Sequence, residues 1–526
     1  MLCAIAATTL ALVVTTHLAT SPGRGELMFL DGDSMLVPLF VRSVQDGGPQ
    51  DWAISSVLFV PELAQFFALS WTGLGIQPLQ FLAGVLNFVG LYGAFRLCAT
   101  RPVSGPLSAL AAYGGMCALA LTEGGGGRDS LELASLVAMT TYYVATVLGA
   151  LVAVGLVRRI AEGSRHPRAL YALLVLVAAL SSFTNPLFLA WATAPLVVVC
   201  VGAGLIVRRA RDGVTLALAI AAGSLAGYLL RTPLEPWIVA RAGNYVQAYR
   251  WRESLAYYAA LVAERLGSPL GIAAVLLGAV LTAVAAALTV GMLRGRRFGA
   301  AVLAAYAWFT PLAITIGFVA LGTGAARYLQ PWAFAPVLAL LLLTGDAAPR
   351  TASSAADPPA GVGAPGPAAA TVPGSTVGVH PRARLPLGIA AGAAAVGLVA
   401  GIAVAPAAAR AATTEDPSLA CAVHWVDRAH RVGGGQFWSV RAVKAHAARP
   451  GDLVQVDYLL GGYAWLVNRA DFAHPALSYL IVDAQSIPYR LPAADAALVP
   501  DRVSCGRFTI LDYGRARLRI GVARSG

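Results

Sequence analysis

Charged side chains are scarce in this chain, at 12% of its 526 residues, whereas apolar residues make up 58%. This composition excludes an ordinary soluble enzyme, and repeated apolar runs of about 18 to 25 residues predict a polytopic helical membrane protein. Lysine is nearly absent, since Lys444 is the only one. The apolar part of the chain therefore has neither a P-loop lysine nor a Schiff-base lysine, and arginine carries almost all of the positive charge.

Metal-binding and redox motifs are also missing. The chain has no Cys-x-x-Cys pair, and the histidines near its C-terminus lack a zinc-like spacing. Four cysteines lie in or beside apolar runs, where cysteine usually acts as a small hydrophobe: Cys3, Cys98, Cys117 and Cys200. Cys421 and Cys505 instead bracket the polar C-terminal segment, so we expect a disulfide between them if that segment is extracytoplasmic.

The apolar runs predict about eleven transmembrane helices. They fall at residues 2–20, 77–98, 103–122, 131–157, 168–184, 186–207, 213–231, 268–293, 299–319, 329–345 and 385–408. A cytoplasmic N-terminus places the arginine clusters between these runs on the inside, in agreement with the positive-inside rule. The loops 21–76 and 232–267 and the C-terminal segment then lie outside.

Composition divides the chain into four parts. Residues 1–345 form an apolar core, residues 346–384 are rich in Ala, Pro, Gly and Ser and predict a disordered cytoplasmic linker, and residues 385–408 form the last transmembrane helix. Residues 409–526 contain short strand-like runs and one helical segment, 436–446. The predicted fold is therefore an all-α polytopic membrane protein with a small α+β extracytoplasmic domain at its C-terminus.

The sharpest candidate site is the sequence FLDGDS at residues 29–34, which follows the first apolar run. In an extended segment, Asp31 and Asp33 would point to one face and could serve one site. Two neighbouring carboxylates raise one pKa, which suits a general base, and their oxygens could also hold a divalent cation. The alternative is a solvated turn that caps a helix beginning near Met35.

A second candidate is the external loop 232–267, in which arginines alternate with aromatic residues. Guanidinium groups bind phosphate, and aromatic faces stack on sugar rings or sit among lipid headgroups. An ordinary amphipathic interfacial helix would show the same pattern. The residues concerned are Arg241, Arg250, Arg252, Trp237, Tyr245, Tyr249 and Trp251.

Arg327 and Tyr328 form a third candidate, in a short external loop. An arginine at the outer end of a span runs against the positive-inside trend and indicates an anionic partner, either a protein carboxylate or a ligand phosphate. Weaker candidates are Glu123, Arg128 and Asn185 in two further external loops.

Taken together, these features resemble a C-type (GT-C) membrane glycosyltransferase. The likeness rests on FLDGDS after the first helix, the long first loop, the basic-aromatic loop 232–267 and the C-terminal module. It implies transfer of a sugar from a polyprenyl-phosphate donor to a glycan, lipid or protein acceptor, with inversion, at the outer face of a bacterial-type cytoplasmic membrane. Nucleic acid is not an implied partner.

The resemblance also implies roles for the candidate residues. Asp31 or Asp33 would activate the acceptor hydroxyl, with a slight preference for Asp31 because it follows the apolar Phe29 and Leu30. The donor phosphate would be bound by Arg241, Arg250, Arg252 and Arg327, and the substrate would be lined by Trp237, Tyr245, Tyr249, Trp251 and Tyr328. The chain lacks the second acidic motif of the oligosaccharyltransferases, so no metal site is assigned.

Two other classes of protein stay open. A lipid or glycan transporter predicts charged residues within the spans or paired broken helices, but the spans here are nearly free of acids, with Glu132 the main exception. A non-catalytic membrane assembly protein requires no clustering of the first loop with loop 232–267. The enzyme hypothesis fails if Asp31 and Asp33 lie far from that loop and from Arg327.

Overall fold

A computed structural model describes residues 1–99, 105–240, 246–345 and 384–524. Within these ranges, ten helical segments are long and apolar enough to cross a membrane. The segments are Leu2–Thr20, Ile76–Cys98, Val144–Ala161, Pro167–Thr184, Leu189–Ile206, Ala210–Leu229, Pro269–Arg294, Phe298–Ala320, Ala326–Thr344 and Gly388–Ala429. The chain is therefore a polytopic membrane protein, as its sequence predicted.

The helices of the membrane part are numbered in chain order. They are α1 (Leu2–Thr20), α2 (Pro22–Phe29), α3 (Leu36–Gln45), α4 (Val60–Ser70), α5 (Ile76–Cys98), α6 (Gly105–Leu121), α7 (Val144–Ala161), α8 (Pro167–Thr184), α9 (Ala194–Ile206), α10 (Ala210–Leu229), α11 (Trp251–Leu266), α12 (Pro269–Arg294), α13 (Phe298–Ala320), α14 (Pro331–Phe334), α15 (Leu338–Gly345) and α16 (Arg384–Thr413). A π-helical turn, Leu189–Thr193, precedes α9. The predicted span at 103–122 is the shorter apolar helix α6, of 17 residues.

One predicted span begins later than expected. The helix expected at 131–157 starts only at Val144, and the residues before it form an irregular segment with a single 3-10 turn, Ser135–Ala138. Glu132 is buried in this segment and forms ion pairs with Arg24 and Arg265. Apolar composition does not distinguish such a buried irregular segment from the start of a helix.

Small residues set the closest helix contacts in the membrane part. A Cβ atom at Gly227 of α10 would lie 1.9 Å from the carbonyl oxygen of Ala179 in α8. In the same way, a Cβ atom at Gly397 of α16 would lie 2.5 Å from the hydroxyl of Thr9 in α1. Glycine at such positions lets helix backbones approach closely, which is the main source of packing energy between helices in lipid.

The C-terminal part is a small α+β unit. It contains α17 (Pro417–Ala429) and α18 (Phe437–His446) and the strands β2 (Gly433–Gly435), β3 (Leu453–Gln455), β4 (Gly461–Tyr463), β5 (Val467–Asn468), β6 (Ala476–Leu477), β7 (Tyr479–Val482), β8 (Asp501–Cys505), β9 (Phe508–Asp512), β10 (Leu518–Arg519) and β11 (Gly521–Arg524). Its main sheet has the order β3-β2-β7-β9-β8, in which β3, β2 and β7 are parallel and β7, β9 and β8 are antiparallel. The predicted α+β fold is confirmed.

A disulfide joins Cys421 of α17 to Cys505 of β8, as the sequence predicted. Disulfides persist mainly outside the cytoplasm, so this one is consistent with an extracytoplasmic C-terminal domain. The predicted linker at 346–384 lies outside the described residues, apart from its last residue.

The C-terminal domain docks on the first loop. The short strand β1 (Trp52–Ala53) of that loop pairs antiparallel with β5, and Arg469 forms an ion pair of 2.8 Å with Asp51 beside this pairing. Arg42 of α3 donates a hydrogen bond of 2.9 Å to the carbonyl oxygen of Ala445 in α18. These contacts hold the soluble domain over the segment that contains Asp31 and Asp33.

Candidate functional site

The acidic turn, which we define as residues 31–34, connects α2 to α3. It is a hydrogen-bonded turn, so the extended conformation expected from the sequence is wrong. The alternative expectation, a solvated turn that caps α3, is right about the turn. The turn is not fully solvated, because Asp31 is only 9% exposed, and no side chain caps α3. Residues of α18 press on the turn: Arg441 donates a hydrogen bond of 2.7 Å to the Gly32 carbonyl, and a Cβ atom at Gly32 would lie 2.9 Å from Phe437.

Asp31 is fully engaged with protein groups. Its Oδ1 accepts hydrogen bonds from the Asp33 backbone N–H at 3.0 Å and from the Tyr142 hydroxyl at 3.2 Å. Its Oδ2 lies 3.1 Å from Nη1 of Arg128, whose guanidinium stacks 3.4 Å from the ring centre of Trp438. Burial, and after it the charge of Asp33, raises the pKa of Asp31 to about 7.

A buried ion network fixes the loop that presents Arg128. Glu132 pairs with Arg24 at 3.0 Å and with Arg265 of α11 at 3.3 Å, and Arg24 also donates to the Ser130 hydroxyl at 2.9 Å. Buried charges require partners of this kind, because an unpaired charge is costly away from water. Glu132 therefore has a structural role here.

A cavity of about 230 Å³ lies beside the acidic turn, and we call it the main cavity because of the residues that line it, not because of its size. It brings together Asp33, Arg327 and Tyr328, three of the predicted site residues. Its polar lining consists of Asp33, Ser55, Ser56, Thr141, Tyr143, Asn185, Thr323 and Arg327, and the C-terminal domain contributes Trp465 and Leu466. Asn185 was among the weaker sequence candidates.

Asp33 and Arg327 both line this cavity, and neither forms an ion pair with a residue of the described ranges. The Asp33 carboxylate has no hydrogen bond or ion pair with any residue of the described ranges. The Arg327 Nε donates to the Tyr143 hydroxyl at 3.0 Å, and the guanidinium lies 6.0 Å from the ring centre of Tyr142. Its terminal amino groups form no hydrogen bond or ion pair within those same ranges. A carboxylate and a guanidinium that face one cavity without pairing leave room for a ligand between them.

The walls of the main cavity store strain. Seven non-glycine residues have positive φ among those described, and three of them line this cavity: Phe59 at 51°, Tyr143 at 68° and Leu466 at 51°. The buried hydroxyl of Thr141, also in the lining, has no hydrogen-bond partner. Strained backbone and unsatisfied buried groups are rare in ordinary cores and cluster at functional sites.

Two further spaces adjoin the main cavity. A second cavity of about 470 Å³ shares Thr323, Arg327 and Tyr328 with it and is lined by Arg250, which hydrogen-bonds to Glu253 at 2.7 Å. An apolar groove of about 230 Å³ lies between α9 and α13. The groove shares Ala190, Phe318 and Leu321 with the main cavity, so an amphipathic molecule could occupy both.

The remaining predicted residues lie elsewhere. Trp237, Tyr249, Trp251 and Arg252 line neither cavity, and Tyr249 is 83% exposed. Arg241 and Tyr245 lie outside the described residues. Asp31 lines a different, polar cavity together with Arg128, so the two aspartates face different spaces.

Sequence reasoning missed Thr141, Tyr143 and Trp465. Thr141 and Tyr143 fell inside a predicted span, and the only signal there is a run of polar and aromatic residues, TTYY, in an apolar segment. Within the described ranges, no group of three or more His, Cys, Asp or Glu residues is placed to hold a metal ion.

Comparison with known proteins gives no family: no protein-family model and no curated protein matches this chain. The geometry of the main cavity is therefore the basis on which a function can be proposed.

Proposed function

We propose that this protein is a membrane glycosyltransferase that moves a sugar from a polyprenyl-phosphate donor to an extracytoplasmic acceptor. One observation carries the proposal: Asp33 and Arg327 line one cavity, and neither forms an ion pair among the described residues. A transferase of this kind needs a base for the acceptor and a cation for the donor phosphate. The cavity offers one of each.

Arg327 binds the donor phosphate, and Asp33 accepts the proton of the acceptor hydroxyl. The acceptor oxygen then forms a bond to the anomeric carbon while the bond from that carbon to the phosphate oxygen breaks. The electron pair of the broken bond leaves with the polyprenyl phosphate, whose charge Arg327 stabilises, and the proton stays on Asp33. Direct displacement inverts the anomeric centre.

The apolar groove between α9 and α13 supports a lipid-linked donor. It is lined by side chains such as Val198 and Ile314 and shares Phe318 with the main cavity. A polyprenyl chain placed in this groove keeps its hydrocarbon among membrane helices, while its phosphate reaches Arg327 at the outer end of the next span. With the shorter helix α6 as an eleventh span, the topology that fits is a cytoplasmic N-terminus with the C-terminal domain outside.

The two aspartates have different roles in this proposal. Asp31 is occupied by Arg128, Tyr142 and its own turn, so it positions the turn. Asp33 has no such partners and lines the main cavity, so the geometry favours Asp33 as the base, although the sequence slightly preferred Asp31.

Binding of a short isoprenyl phosphate tests the donor site. Farnesyl phosphate should bind the protein in nanodiscs, and Arg327→Gln should weaken binding by about tenfold or more, because a charge-assisted contact to phosphate is lost. Arg252→Gln is the matched control, since Arg252 lines neither cavity. Equal binding by wild type and Arg327→Gln would refute the assignment of Arg327.

A further inference from the structure

The C-terminal domain forms part of the wall of the main cavity. Its contribution is the pair Trp465 and Leu466, which lies between β4 and β5. All other residues that line this cavity belong to the membrane part and its loops. A substrate in the cavity therefore touches both parts of the protein.

This wall is held rigidly by side chains of the same domain. The Gln455 amide donates hydrogen bonds of 2.8 Å to the carbonyl oxygens of Tyr463 and Trp465. Arg441 donates to the carbonyl oxygen of Leu466 as well as to that of Gly32. Arg441 is 1% exposed and thus links the wall directly to the acidic turn.

The backbone of Leu466 is strained, with φ at 51° in the left-handed region. A branched residue adopts this conformation only when its surroundings impose it, here through the Arg441 hydrogen bond and the pairing of β5 with β1. The same hydrogen bonds hold the neighbouring Trp465 in place. Trp465 is itself partly exposed and lines the cavity.

We infer that Trp465 is a specificity-determining residue that contacts the donor sugar, an inference that rests on the proposed function. The apolar groove is formed by membrane helices α9 and α13, so the lipid chain leaves the cavity on that side. Trp465 belongs to the C-terminal domain, so it lines the cavity from a different part of the protein than the helices that form the groove. The part of the donor beyond its phosphate is the sugar, whose C–H faces pack well on an indole ring.

The test compares donors with and without a sugar. The probes are farnesyl phosphate and its glucosyl, galactosyl, mannosyl and arabinofuranosyl phosphodiesters, bound to the full-length protein in nanodiscs. At least one sugar should strengthen binding to wild type about fivefold to tenfold over farnesyl phosphate. Trp465→Leu, which keeps apolar bulk but removes the ring, should lose this gain while its affinity for farnesyl phosphate stays unchanged.

Trp465→Phe keeps an aromatic face and should retain most of the gain, whereas Trp71→Ala, at a residue 77% exposed on the first loop, should retain all of it. If Trp465→Leu keeps the gain, or if no sugar strengthens binding to wild type, the role of Trp465 is refuted while the lipid-phosphate site stands. If neither farnesyl phosphate nor any sugar phosphodiester binds to wild type, the proposed function itself is refuted, and the inference with it.

Discussion

Asp31 and Asp33 are separated by one glycine, yet their surroundings give them opposite properties. Asp31 is enclosed by Arg128, Tyr142 and the backbone N–H of Asp33, and its pKa is raised to about 7. Asp33 lines the main cavity, and its carboxylate forms no hydrogen bond or ion pair in the described ranges. A carboxylate that takes a proton from a substrate must be accessible to it, which Asp33 satisfies.

The raised pKa of Asp31 has a consequence for stability. The folded protein binds this proton more tightly than the unfolded chain, where the pKa is about 4, so ionisation destabilises the fold as pH rises from about 4 to about 7. Asp31→Asn cannot ionise. The melting temperature of this variant relative to wild type should therefore rise between about pH 4 and pH 7 and then level off.

Thermal unfolding in detergent at several pH values measures this difference directly. A difference that is constant across the range, or that falls with rising pH, would contradict the assignment of a raised pKa to Asp31.

Single site residues could be predicted from the sequence where a local pattern distinguished them from their neighbours. Asp31 and Asp33 stood out because two acids follow an apolar run, and Arg327 because an arginine is unusual at the outer end of a span. Trp465 reaches the cavity only through the docking of the C-terminal domain. Such a contact depends on tertiary structure, so no local pattern could have revealed it.

At the scale of elements, helix α18 packs on the acidic turn at one of the contacts between the two parts of the protein. Phe437 lies against Gly32, and Arg441 binds the Gly32 carbonyl. Glycine is needed at this position because a side chain would collide with both the ring and the carbonyl oxygen of Phe437. The orientation of Asp33 thus depends on a helix more than 400 residues away in the chain.

Gly32→Ala tests this contact. The added methyl group would lie 2.9 Å from Phe437 and should lower the free energy of unfolding by about 1–3 kcal/mol, because a packed interface resists overpacking. The control is Gly48→Ala in the same loop, where the nearest atom to a new Cβ would be 3.9 Å away. Chemical denaturation in detergent gives both values, and equal stability of the two variants would argue against the contact.

Most spans could be predicted because their apolar length is a strong signal, and the predicted ends agree closely with helices such as α12 and α13. The span predicted at 131–157 was wrong in its first half, where Glu132 forms ion pairs with the distant residues Arg24 and Arg265. Mean hydropathy over a window of residues is little changed by a single charged residue, and it contains no information on ion-pair partners that are distant in the sequence.

At the scale of the whole molecule, the soluble domain, the first loop and the membrane helices together build one cavity. The sequence predicted a common side for the first loop, loop 232–267 and the C-terminal domain from arginine distribution alone. The structure shows in addition that Asp33, Arg327 and Trp465 line the same cavity. Loop 232–267 contributes less than the sequence predicted, since Arg250 is paired with Glu253.

The central claim is that Asp33 acts as the base of a sugar transfer, and glycan analysis of a deletion strain tests it most directly. The strain should lack a defined sugar in its envelope glycans or glycolipids, and wild-type protein should restore it. Asp33→Asn, expressed at the same level, should restore at most about one hundredth of the transfer rate, since loss of a general base costs about 10² or more. Asp46→Asn, at an exposed aspartate paired with Arg42, is the control and should restore transfer fully.

A transporter or an assembly protein would show full restoration by Asp33→Asn, and that result, or a deletion strain with unchanged glycans, would contradict the claim.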